Sequence, residues 1–201
     1  MLRYLRAAAG QALAEYGVAL SVRAAKVEER LSYLEPWPPH RTLFPVDAQP
    51  PRVAPDARIA LSATLIADVQ VEAGAVVGAG SVLRGLAAPV RLGAGAVVGE
   101  LSVVEARESQ GKLPGSANLG PDALIGDKCR LGCCVLDAEV TVGDGSVVGE
   151  GAVLERGVVV LPHSLVPSGA VLRADTLYGG SPVRALGPVP AEVAAAGRQR
   201  R

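Results

Sequence analysis

The sequence is short of the residues that usually fill a globular core. Of its 201 residues 49% are hydrophobic, yet only 3% are aromatic, with a single Phe and a single Trp. A core made of Val, Leu, Ile and Ala alone is narrow and repetitive. An excess of one charge is also lacking. Lys plus Arg number 20 and Asp plus Glu number 20, so no nucleic-acid partner is expected. No run of 18 or more apolar residues occurs, and no segment reads as a membrane-spanning helix. Cysteine is confined to Cys129, Cys133 and Cys134, an odd cluster that makes no disulfide framework. A C-x₃-C-C spacing without a second pair predicts small buried side chains rather than a metal site. Histidine is confined to His40 and His163. The first fourteen residues hold Arg3 and Arg6 and no acid, a superficial likeness to a transit peptide, but the stretch starts at Met1 and is expected to be retained.

What the chain has instead is a period. An aliphatic residue recurs every six positions at Val53, Ile59, Leu65, Val71, Val77 and Leu83, and again from Val142 through Val148, Leu154, Val160 and Val166 to Leu172. Between these runs the frame resumes at Leu92, Val98 and Val104, then at Ile125 and Leu131. Hexapeptide self-similarity marks a parallel β-helix. Each hexad is a short strand plus a corner, three hexads close a triangular coil, and coils stack about 4.8 Å apart. The 24 glycines and 15 prolines, without collagen periodicity, fit many regularly spaced corners. Two stretches break the frame, Leu86–Arg91 and Glu105–Ala123; loops thrown from a solenoid often carry its binding face.

The expected organisation is an all-β parallel β-helix over 53–173 with appendages at both ends. Residues 1–37 carry a stripe from Leu2 through Leu5, Leu13, Leu20 and Val27 to Leu34 at helical spacing, and predict a long amphipathic helix stopped at Pro36 and Pro38. Residues 38–52, with His40, form a proline-rich linker. Residues 174–201 form a tail with a short helix near Ala191–Gly197. His163 sits at a coil corner in Leu161-Pro162-His163-Ser164. A structural corner histidine is the expectation there, and the base of a hexapeptide acyltransferase is the alternative. Gly143-x-Gly145 and Gly149-x-Gly151 are repeat corners rather than phosphate loops.

Several segments together resemble the γ-class carbonic anhydrases, and more closely the members attached to mitochondrial complex I in plants, algae and protists. They are Gly10-Gln11-Ala12-Leu13, Arg41-Thr42-Leu43, Val53-Ala54-Pro55, Val82-Leu83-Arg84-Gly85, Leu124-Ile125-Gly126-Asp127 and Tyr178-Gly179-Gly180-Ser181-Pro182. The resemblance implies a left-handed coil. It also implies three zinc-binding histidines at a subunit interface, two from one chain and one from its neighbour. Their positions fall on Glu105, Cys133 and Ala138, so none is a histidine. A homotrimer would offer the metal only Glu105 and Cys133 of the partner subunit, too few donors for catalytic zinc. No cofactor and no enzymatic activity are therefore expected. The family's interface Arg-Gly-Asp reads Arg84-Gly85-Leu86, which predicts an arginine without its usual partner and a heterotrimer with two paralogous subunits. The implied role is assembly on the matrix side of the inner mitochondrial membrane, with the N-terminal helix fastened to membrane-arm subunits of complex I. A soluble β-helix adaptor of another assembly is a further alternative.

Overall fold

The computed structural model describes residues 42–44, 46, 50–107 and 115–190. The helices expected over 1–37 and 191–197, and His40, lie outside the described residues. Among the described residues every regular element is a strand, and no helix is long and apolar enough to cross a membrane.

Most strands are two residues long, because a hexad leaves room for little more between corners. Each pairs in parallel with the strand one coil before and one coil after. Leu124–Ile125, for example, lies between Val97–Val98 and Thr141–Val142. Three ladders result, each forming one face of a solenoid. On the first face Val71, Leu92, Leu119, Leu136, Leu154 and Leu172 point inward. On the second the inward residues are Val77, Val98, Ile125, Val142 and Val160, and on the third Leu65, Leu83, Val104, Leu131, Val148 and Val166. Each of these is at most 4% exposed, and burial of such a side chain is worth about 1.5–3 kcal/mol. Tyr178 ends the second column, where the chain no longer encloses a narrow interior. Its ring is buried, and its hydroxyl accepts the Arg173 backbone N–H at 2.9 Å.

Strand pairing runs past both ends of the expected 53–173 frame. Leu43–Phe44, placed by the sequence in a linker, pairs in parallel with Leu65–Ile66. At the other end Thr176–Gly179, placed in the tail, pairs with Val159–Val160, and Arg184–Pro188 then folds back antiparallel on it. An open coil leaves a row of unpaired backbone groups, and these segments satisfy them.

The corners turn through a left-handed residue. Glycine takes that place at Gly74, Gly80, Gly95, Gly145, Gly151, Gly157 and Gly169, with φ between 66° and 72°. Non-glycine residues take it at Ala67, Leu101, Asp122, Lys128, Glu139, His163 and Asp175, with φ between 51° and 62°. Glycine is therefore favoured at the corner but not required. The left-handed conformation costs an L-residue about 1–2 kcal/mol, which the fixed ladders on either side offset.

The small residue two places before each inward aliphatic is Ala on most coils, but on the third face it forms a polar ladder. Ser81 Oγ donates to the Gly99 carbonyl at 2.6 Å and accepts the Ser102 N–H at 3.3 Å. Ser102 Oγ donates to Gly126 at 2.9 Å and accepts the Cys129 N–H at 3.0 Å. Cys129 Sγ contacts the Gly143 carbonyl at 3.2 Å, and Ser146 and Ser164 continue the ladder. Cys129 is thus a rung in a serine column. Cys129→Ser should leave stability within about 0.5 kcal/mol of the parent, while Cys129→Val, which removes the donor, should cost about 1 kcal/mol in urea unfolding. Equal losses for both would remove the hydrogen-bonding account of this column.

Candidate functional site

The departures from the hexad frame gather at one corner, where the third face hands over to the first. The earlier insertion does not leave as a loop. Val82–Leu92 is one continuous eleven-residue strand, paired with Thr64–Val71 except for an irregularity between Ala67 and Val69. Gly85 is a close approach there, since a Cβ on it would meet the Asp68 carbonyl oxygen. Leu86 is 59% exposed and, with Val46, Ala67, Asp68 and Ala87–Pro89, lines a cleft of about 340 Å³. The later excursion is shorter than the sequence suggests. The chain stays in the ladder through Val103–Ala106 and is back in it at Ala117–Leu119. One coil further on, the corner between Leu131 and Leu136 is a residue short, so the inward positions are five apart. Cys133 and Cys134 make that shortened corner, and both are buried.

Glu105 lies in this region, on the strand paired with that of Arg84. Arg84 Nη1 donates to Glu105 Oε1 at 2.9 Å, and Arg107 Nη2 donates to Oε2 at 3.1 Å. The Glu105 side chain is only 13% exposed, against 47% for Arg84 and 59% for Arg107. Arg107 also reaches Glu150 at 3.6 Å, and its backbone N–H donates to Cys133 Sγ at 3.0 Å. The expectation for Arg84 concerned its usual partner at the subunit interface; the contact seen here lies within one chain. With leucine at position 86, the carboxylate comes from Glu105 on the paired strand of the same chain. Arg107 and Glu150 went unremarked in the sequence. The Glu105-x-Arg107 spacing, which puts both on one side of a strand, was the available signal for Arg107; Glu150 had none.

Ala138 sits at a different corner. Its N–H donates to Asp137 Oδ1 at 2.8 Å, and the adjacent Glu139 accepts from Arg156 at 2.7 Å. Arg107 thus brings Glu105 and Cys133 together, while Ala138 stands apart. His163 is exposed at its corner with φ 56°. Its imidazole lies over Gly145, where a Cβ would meet Nδ1 at 2.5 Å, and the His163 backbone N–H donates to the Asp144 carbonyl at 2.8 Å. It fills a turn position that glycine fills on the neighbouring coil. Among the described residues no group of three or more His, Cys, Asp and Glu is placed to hold a metal ion.

Cys129 and Cys134 carry chemically quiet thiols. Burial pushes Cys129 up, opposed by hydrogen bonds from the Ser146 and Gly145 backbone. Burial and the neighbouring Cys133 push Cys134 up to about 12, from 9.0. Thiolate is the reactive form, so Cys129 and Cys134 should resist alkylation near pH 8 until the chain unfolds. The folded value of Cys134 lies above the unfolded one. Its contribution to stability is therefore fully present below pH 9 and lost as pH rises from 9 to about 12. Cys134→Ala should flatten that alkaline decline in chemical-denaturation curves; an unchanged slope would contradict the desolvation of this thiol.

No protein-family model matches the chain. Over 178 residues it is 32% identical to gamma carbonic anhydrase 1, mitochondrial, of Arabidopsis thaliana, covering 86% of this chain and 63% of that protein. Over 181 residues it is 34% identical to gamma carbonic anhydrase 2, mitochondrial, of the same plant, covering 87% and 61%. The chain thus spans less than two thirds of the length of these curated relatives. Among solved structures, a hexapeptide transferase family protein from Anaplasma phagocytophilum superposes with a TM-score of 0.73 at 29% identity, covering 79% of this chain and 91% of that one. With a hexapeptide-repeat solenoid and this sequence similarity along most of its length, the chain is similar to the mitochondrial γ-carbonic anhydrases.

Proposed function

We propose that this chain is a non-catalytic structural subunit of the γ-carbonic-anhydrase-like domain of mitochondrial complex I, on the matrix side of the membrane arm. The mitochondrial carbonic anhydrases of Arabidopsis thaliana that it resembles support the compartment, and the assembly is what the family resemblance implies. The solenoid would wind left-handed, as the family resemblance implies.

One observation carries the loss of catalysis. The zinc that the family implies needs three protein donors and an open position for water. Here the Glu105 carboxylate is held between two guanidinium groups, Cys133 Sγ accepts the Arg107 N–H, and Ala138 offers a methyl group. That donor set does not fit the metal. Arg84 is paired within the chain, so an orphaned arginine is no ground for a heterotrimer. Its support is that two paralogues could supply the histidines this chain lacks. The acyltransferase alternative would rest on His163, whose ring is packed on a corner glycine.

The test is to follow the native and truncated proteins in mitochondria. The full chain should migrate with complex I on native gels. A chain lacking residues 1–37 should keep its solenoid and leave the complex. The purified full chain should show no CO₂ hydration above the buffer rate. Normal incorporation of the truncated chain would remove the anchoring role, and hydration by the isolated chain would remove the non-catalytic reading.

A further inference from the structure

The charged residues beside Cys133 form a row that the assembly role does not explain. Arg84, Glu105, Arg107 and Glu150 alternate in sign, and each touches the next at 2.9, 3.1 and 3.6 Å. They come from three different coils and bracket the shortened corner at Gly132-Cys133. A row of two cations and two anions is neutral. Its most buried member is Glu105, with each carboxylate oxygen facing a different guanidinium. Arg107 is tied twice, by its side chain to two carboxylates and by its backbone N–H to Cys133 Sγ.

From this geometry we infer that the Arg107 guanidinium is the resident cation of this corner, a fixed positive charge doing the crosslinking that a bound metal ion would otherwise do. A planar guanidinium suits the task. It is always charged, it presents several donors in fixed directions, and it is less strongly hydrated than an ammonium group. The one-residue shortening is what admits it. Where Cys133 and Cys134 make the shortened corner, the Arg107 side chain reaches Glu150, two coils on, at 3.6 Å. The Glu150 stem packs over Gly132, where a Cβ would lie 2.9 Å from its Cγ. A dication entering here would have to displace one guanidinium from Glu105 and lie close to the other. The corner therefore disfavours divalent cations while being held by the same electrostatics that would bind one. The inference concerns bonds within this chain and stands whether or not the chain joins a larger complex.

The test uses the full chain, stripped of metal. Titrated with zinc chloride alone, the wild type should show no saturable uptake. Amide exchange at Arg107 should be about three- to fivefold faster in Glu105→Gln and in Arg107→Gln, the range of a partly exposed ion pair. The double variant should exchange faster than either single one but by less than their combined effects, because the Glu105–Arg107 bridge is lost in both. In the wild type, raising salt to about 1 M should speed the same amide by screening the row. Stoichiometric zinc uptake by the wild type that Glu105→Gln abolishes would overturn the inference. So would additive effects of the two substitutions, or an Arg107 amide indifferent to salt.

Discussion

Each coil of this solenoid has to return the chain to a point one strand spacing above its start, in register. That closure governs the rest of the structure. It leaves two or three residues for most strands, one inward aliphatic per side and a corner that must reverse within a few residues. It explains why the interior takes Leu, Val and Ile but no ring until Tyr178 at the end of the column. It also explains why, among the described residues, seven non-glycine positions accept a left-handed backbone. Ladder hydrogen bonds on both sides of a corner leave no other conformation that keeps the register.

Closure also decides where the chain can vary. An insertion is tolerated at a corner, because strands above and below stay paired if the chain comes back at the right height. Both insertions and the one shortening use the same corner on successive coils, leaving the second face uninterrupted from Ile59 to Val160. A single corner therefore gathers the exposed Leu86, the cleft beside Asp68, the charged row from Arg84 to Glu150 and the buried Cys133. The opposite pressure acts on the serine column. There the interior of a corner is polar, and each hydroxyl serves a backbone group of the next coil. Cys129 is buried because it belongs to that column, and its position there has no relation to the cysteines at 133 and 134 beyond sequence proximity.

At the corner of Cys133, chemistry follows from pairing partners rather than residue type. A glutamate is an ordinary zinc ligand when its oxygens are free. Glu105 is placed opposite Arg84 by strand register and beside Arg107 by its own strand, so both oxygens are engaged before any metal arrives. Similarity to mitochondrial γ-carbonic anhydrases is a statement about ancestry and fold, while reactivity depends on such local commitments.

The sequence alone determined the repeat, and with it the parallel pairing, the inward residues and the corners, because a six-residue period of aliphatics has few other structural solutions. It also determined that no histidine stands at 105, 133 or 138. The one-residue slip between Leu131 and Leu136 was present as a change of phase, but only pairing showed which corner absorbed it. The strands at Leu43–Phe44 and Thr176–Gly179 were hidden because they are recruited by unpaired solenoid ends, not by their own periodicity. The partner of Arg84 lay 21 residues away and that of Arg107 lay 43 away, at Glu150. Only the tertiary structure decided those pairs, since distance along a solenoid's surface is set by how coils stack and not by separation along the chain.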